Sequence, residues 1–189
     1  MNTPNKLTVL RIILVPFMVA VLLLDFIPHR LLIANVIFCA ASITDFFDGK
    51  LARKNEQITS FGKFADPLAD KILVISALLC FVQLGCISAV PVIIVLFREF
   101  AVTSVRLVAA SGGKVVAANM WGKAKTVSQI VAVIVVMLVE YLLEIFSPGA
   151  AASTAANIII QAVVWVSTLL AVISGVVYIK DNAEFIGET

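Results

Sequence analysis

Six apolar stretches, each long enough to cross a bilayer, follow one another with only short polar connections between them. A spanning helix needs about 20 largely apolar residues, and such runs occur at about 7–25, 31–52, 63–84, 89–110, 122–146 and 154–179. This pattern restricts the fold severely. In hydrocarbon no water satisfies the backbone, so each apolar run must satisfy its own N–H and C=O groups, and it does so as an α-helix. The expectation is an all-α polytopic membrane bundle of six transmembrane helices, forming a single domain over residues 1–189. Composition agrees, because 61% hydrophobic and 14% charged residues leave too little polar surface to cover a water-soluble core. Pro28, Pro91 and Pro148 fall near the ends of runs, where a helix can break without loss.

Lysine and arginine set the orientation of such a bundle. With the N-terminus inside, the outer connections lie near 26–30, 85–88 and 147–153 and hold Arg30 as their one basic residue. The inner segments hold Lys6, Arg11, Lys50, Arg53, Lys54, Lys63, Lys114, Lys123, Lys125 and Lys180. Both termini are therefore expected in the cytoplasm. Cys39, Cys80 and Cys86 have no metal-ligand spacing and read as small apolar residues. Trp121 and Trp165 read as interfacial or packing aromatics, and Glu140 and Glu144 as a solvated helix face. The lone His29 falls in an outer connection.

Against this apolar background the stretch DFFDGKLARKNEQITSFGKFADPLADK is exceptional. It carries Asp45, Asp48, Asp66 and Asp70, four carboxylates at the ends of apolar helices, where uncompensated charge is expensive. As anions they repel one another, and a hard divalent cation with a preference for oxygen ligands relieves that repulsion. At roughly 100° per residue, positions 45, 48, 49 and 52 share one face of the second helix, and 66 and 70 one face of the third. Facing helices of a bundle build metal sites in this way. Gly49 and Ala52 lie on the acidic face and leave room for an extended ligand, and Gly62 does the same across the gap. Arg53 supplies a planar cation suited to phosphate oxygens, and Thr59 a hydroxyl in the connection.

The spacing Asp45-x2-Asp48-Gly49-x2-Ala52-Arg53-x8-Gly62-x3-Asp66-x3-Asp70 matches, position for position, the signature of the CDP-alcohol phosphatidyltransferase family. The chain thus resembles that family over nearly its whole length. NKLTVLRIILVPF (5–17), REFAVTSVR (98–106) and GKAKT (122–126) resemble the bacterial branch that joins CDP-diacylglycerol to glycerol 3-phosphate.

The resemblance implies a metal-dependent enzyme of phospholipid synthesis in the bacterial cytoplasmic membrane, with its active site on the cytoplasmic side. It implies one or two Mg²⁺ or Mn²⁺ ions on Asp45, Asp48, Asp66 and Asp70, with Asp70 also the base that accepts the acceptor's proton. Asp45, Asp48, Gly49, Ala52, Arg53, Thr59, Gly62 and Asp66 would hold CDP-diacylglycerol. Glycerol 3-phosphate, a dianion, needs cations, and Arg98, Arg106, Lys123 and Lys125 are the candidates. Arg98 and Arg106 are eight positions apart and point about 80° from each other on an ideal helix, though long side chains can still meet at one phosphate. The competing reading pairs Arg98 with a nearby acid and leaves the lysines as positive-inside anchors. The family also implies a homodimer in the lipid bilayer, and no nucleic-acid partner is expected.

Other acceptors remain open on the same scaffold: phosphatidylglycerol, serine or inositol phosphate. A divalent-cation transporter is a further alternative. Its site belongs near the bilayer midplane on broken helices, whereas these acids lie toward one surface with arginine and lysine beside them. The orientation is testable on native thiols. An impermeant maleimide added outside is expected to reach Cys86 and to spare Cys39 and Cys80; labelling only after permeabilisation reverses the assignment.

Overall fold

The computed structural model describes the backbone of residues 3–54, 60–111 and 120–183, with side chains for 8–44, 68–69, 71–110 and 120–183. Among the described residues there are six helices and no strand: α1 Thr3–Leu23, α2 Arg30–Lys54, α3 Ser60–Gln83, α4 Ala89–Ser111, α5 Met120–Phe146 and α6 Ala150–Asp181. Each occupies one of the six apolar runs. α3 begins at Ser60 and α6 at Ala150, slightly ahead of the runs expected from 63 and 154.

α5 packs most extensively on α6, α1 on α2 and α3, and α4 on α6. α2 also lies against α5, while lighter contacts join α3 to α2, α4 and α5. Helical spacing explains which side chains meet. Leu31, Ala34, Phe38 and Ala41 recur every three or four residues on α2, as do Leu73, Ala77 and Phe81 on α3, and all are buried in one apolar core. Small residues such as Ala34, Ala41 and Ala77 let helix backbones come close, the usual route to tight packing where lipid surrounds the bundle.

The outward faces are equally apolar. Phe17, Phe97, Phe100, Ile158 and Leu169 are each more than half exposed. Large apolar side chains on every face mark a molecule whose solvent is not water. Among the described residues, α5 and α6 are long and apolar enough by themselves to cross a membrane. α1, α2 and α3 contribute shorter apolar stretches at Thr8–Leu23, Arg30–Thr44 and Lys71–Gln83. α4 carries Arg98, Glu99 and Arg106 within its length.

The turn joining α3 to α4 requires Gly85, whose φ of 77° is a conformation that side-chain-bearing residues rarely adopt. Beside it, Cys86 is half-buried, and Gln161 of α6 donates to its carbonyl at 3.2 Å. Burial, reinforced by the nearby Glu140 carboxylate, pushes the Cys86 thiol up to about 12. The thiolate is the reactive form, so Cys86 is a slow target for maleimide at neutral pH whichever side it faces. Exposed Ser88 offers the better topological probe. In a Ser88→Cys protein, alkylation of residue 88 should level off above about pH 9, as for an ordinary thiol, while alkylation of Cys86 keeps accelerating with pH. A Cys86 rate that levels off at the same pH would contradict the buried, acid-neighboured placement.

Candidate functional site

α2 runs through positions 45, 48, 49, 52 and 53, α3 runs through 62, 66 and 70, and the two helices touch. The side chains of Asp45, Asp48, Ala52, Arg53, Asp66 and Asp70, the positions of Gly49 and Gly62 in the site, and Thr59 altogether lie outside the described residues. Among the described residues, no group of three or more His, Cys, Asp or Glu side chains forms a metal site. As a donor set the quartet fits a hard divalent cation, because it is all carboxylate oxygen, without sulfur or imidazole, carried by two contacting helices.

Immediately after Asp70, Lys71 turns into a cavity of about 560 Å³ bounded by α3, α4, α5 and α6. Arg98 and Arg106 of α4 and Lys123 and Lys125 of α5 line the same cavity. The four cations expected from the sequence therefore share one wall-to-wall site, joined by a fifth. Against these five, the lining holds one described carboxylate, Glu99. Its side chain is 8% exposed and gathers three of the cations. Arg98 donates from Nη1 to Glu99 Oε1 at 2.9 Å, Lys125 Nζ donates to the same oxygen, and Lys71 Nζ lies 3.9 Å from Oε2. Lys71 also donates to the Thr103 hydroxyl, which in turn donates to the Glu99 backbone carbonyl at 2.6 Å.

Pairing with an acid and lining a cavity thus prove compatible. A guanidinium has five N–H donors; Arg98 gives one to Glu99 and one to Ser174 Oγ at 2.6 Å on α6, while its Nε is buried with no protein partner. One carboxylate cannot neutralise five cations. Among the described residues the cavity thus keeps an excess of positive charge, part of it buried at Arg98 and Lys125 and part open to solvent at Arg106 and Lys123, and that excess favours an anion. Phosphate oxygens suit it best, since arginine offers them paired donors and lysine a point charge.

α6 fixes where Arg98 lies. A Cβ added at Gly175 would sit 2.9 Å from Arg98 Cγ, closer than side chains tolerate, so the absence of a side chain there creates the seat for the arginine stem. One turn on, the Tyr178 ring lies beneath Arg106, with Cζ 5.8 Å from its centroid, within cation–π range. The eight-residue separation of Arg98 and Arg106 is bridged in this way: α6 receives one through Ser174 and Gly175 and the other through Tyr178.

Lys71, Glu99, Gln129 and Tyr178 were not singled out as ligand-binding positions by sequence reasoning. Each is one polar residue within a largely apolar helix, and for Lys71 the adjacency to Asp70 is the available signal. Elsewhere, His29 Nδ1 meets the Tyr141 hydroxyl at 3.1 Å on the rim of α2 and α5, consistent with a packing role.

The model of the CDP-alcohol phosphatidyltransferase family matches residues 1–177. A Bacillus subtilis (strain 168) protein named CDP-diacylglycerol–glycerol-3-phosphate 3-phosphatidyltransferase is 42% identical, over 97% of this chain and 96% of its own length. Proteins of the same name from Rickettsia bellii (33%, over 95% of this chain and 94% of theirs) and Haemophilus influenzae (41%, over 69% and 72%) are also similar. With the family signature, a match across nearly the whole chain and a relative this similar end to end, the chain belongs to the CDP-alcohol phosphatidyltransferase family of membrane enzymes.

Proposed function

We propose that this protein transfers the phosphatidyl group of CDP-diacylglycerol to sn-glycerol 3-phosphate, yielding phosphatidylglycerophosphate and CMP. The observation that carries the choice of acceptor is the cavity beside Asp70, where Lys71, Arg98, Arg106, Lys123 and Lys125 surround one carboxylate. Such a charge excess suits a phosphorylated acceptor and not a neutral or zwitterionic one such as serine. The names borne by the similar proteins support the same reaction.

In this reading the six helices form one membrane domain with both termini cytoplasmic, and the protein acts as a homodimer in the bacterial cytoplasmic membrane. The exposed apolar faces and the one-sided distribution of lysine and arginine support the multi-pass placement. Acyl chains of the lipid substrate stay in the bilayer, its pyrophosphate reaches the inner ends of α2 and α3, and glycerol 3-phosphate enters from the cytosol.

Asp45, Asp48, Asp66 and Asp70 would hold one or two Mg²⁺ or Mn²⁺ ions, whose chemistry would be to neutralise the pyrophosphate and polarise its phosphorus. Gly49, Ala52, Gly62, Arg53 and Thr59 receive the CDP portion. Arg98, Arg106, Lys123, Lys125 and Lys71 hold the acceptor phosphate and orient its primary hydroxyl. That hydroxyl oxygen bonds to the phosphatidyl phosphorus, the bond from phosphorus to the CMP oxygen breaks, and CMP leaves as the anion. Asp70 takes the hydroxyl proton. Glu99 offsets repulsion among the cations while the cavity waits for substrate, because buried charges without partners are costly.

Purified Asp70→Asn is expected to lose turnover while still binding CDP-diacylglycerol; full activity removes the assignment of the base. Chelation should stop the reaction and either Mg²⁺ or Mn²⁺ restore it, and turnover that persists in excess chelator contradicts the metal reading. Arg106→Ala is expected to raise KM for glycerol 3-phosphate about tenfold or more, as for loss of a hydrogen bond to a charged group, with KM for the lipid little changed. Gly175→Ala, which crowds the stem of Arg98, should act in the same direction. Equal changes in both KM values would mark these positions as structural.

A further inference from the structure

The five cations of the cavity answer a phosphate, yet two neutral groups on its wall remain unanswered. Gln129 of α5 and Tyr178 of α6 are 4% and 3% exposed, and Gln129 Nε2 and the Tyr178 hydroxyl are buried without any hydrogen-bond partner. Both side chains line the cavity. A buried polar group with no partner is costly, and native structures rarely keep one without a reason. Gln129 stands one helical turn beyond Lys125, and Tyr178 one turn beyond Ser174, the residue that holds Arg98. Gln129 is therefore built into the face of α5 that carries Lys125, and Tyr178 into the face of α6 that receives Arg98.

We infer that Gln129 and Tyr178 recognise the secondary hydroxyl of the acceptor, the group on the carbon between the attacking hydroxyl and the phosphate ester. The inference rests on glycerol 3-phosphate being the acceptor and names the part of it that these side chains read. The chemistry is complementary. A hydroxyl has two acceptor lone pairs and one donor proton, so it accepts from Gln129 Nε2 and donates to the Tyr178 oxygen. Neither protein group carries charge, and neither adds to phosphate binding. Their contribution is to choose among phosphorylated alcohols and to hold the three-carbon chain in one rotation, with its primary hydroxyl directed to the phosphorus. A site that hydrogen-bonds a substrate hydroxyl rejects the analogue lacking it, because its own buried groups are then left unpaired.

The test compares glycerol 3-phosphate with 3-hydroxypropyl phosphate, which keeps the attacking hydroxyl and the phosphate and lacks the secondary hydroxyl. Full-length protein in lipid nanodiscs is assayed with CDP-diacylglycerol and each acceptor. The wild type is expected to favour glycerol 3-phosphate in kcat/KM by about 100-fold or more. Gln129→Leu and Tyr178→Phe should each cut that ratio about tenfold, through slower use of glycerol 3-phosphate, with KM for CDP-diacylglycerol unchanged. Tyr178→Phe removes a single oxygen, so it remains informative if Gln129→Leu fails to fold. Active variants that retain the wild-type ratio, as when an ordered water satisfies both groups, overturn the inference and leave the proposed reaction standing. A wild type that uses neither acceptor overturns the proposed reaction and this inference with it.

Discussion

Charge inside an apolar bundle must be compensated, and the Glu99 cluster is where that constraint is most plainly met. Arg98 and Lys125 share one oxygen of this carboxylate and Lys71 approaches the other, so α3, α4 and α5 converge on a single anion. An isolated lysine or arginine at such a place would be driven to the surface or would unsettle its helix. Among the described residues that compensation is incomplete, because five cations line the cavity against one carboxylate. The same interaction that makes the helices compatible leaves a positive cavity beside the acidic motif. A cation pathway is a poor use of such a cavity, whereas an anionic substrate completes it.

The helices are arranged around that need. α6 has no acid or base in the cavity wall, yet it fixes both arginines, with Ser174 and Gly175 receiving Arg98 and the Tyr178 ring supporting Arg106. These contacts need α4 and α6 side by side, and the two helices do pack closely. Beyond the cavity the core is ordinary apolar packing of Phe38, Phe81, Met137 and their neighbours, which holds the walls at fixed separation. Rigid walls matter here, since a substrate that supplies the missing charge binds best when the donors are already in place.

Much of this was legible from residue order. The six helices coincide with the six apolar runs because length and hydropathy alone dictate them in a membrane chain. α1, α2 and α3 present shorter apolar stretches among the described residues, because the polar motif shares α2 and α3 and parts of all three helices lie outside the described side chains. Arg98 and Arg106, cations within an apolar helix, and Lys123 and Lys125, at the opening of the next, read as candidates for the acceptor phosphate, and all four line one cavity. The angle of about 80° between the arginines on an ideal helix does not keep them from one site: as the length of their side chains allows, both line the cavity, and α6 receives each of them. Gln129 and Tyr178 were invisible for a simpler reason: one amide or one phenol in a long apolar helix has no distinguishing local pattern. Only the packing shows that each carries a buried, unpartnered polar atom and that both residues line the same cavity. The acidic motif is the reverse case, unmistakable as spacing, with its side-chain arrangement outside the described residues.

The central claim is that the aspartate quartet and the cation cavity are two halves of one site that meets at Asp70 and Lys71. Its most direct test is a crystal structure of the protein with Mn²⁺ and glycerol 3-phosphate, read by anomalous scattering at the manganese edge. The account predicts a manganese peak among Asp45, Asp48, Asp66 and Asp70, with acceptor phosphate density against Arg98, Arg106 and Lys125. Manganese bound elsewhere, or a phosphate lying outside the cavity, would contradict it.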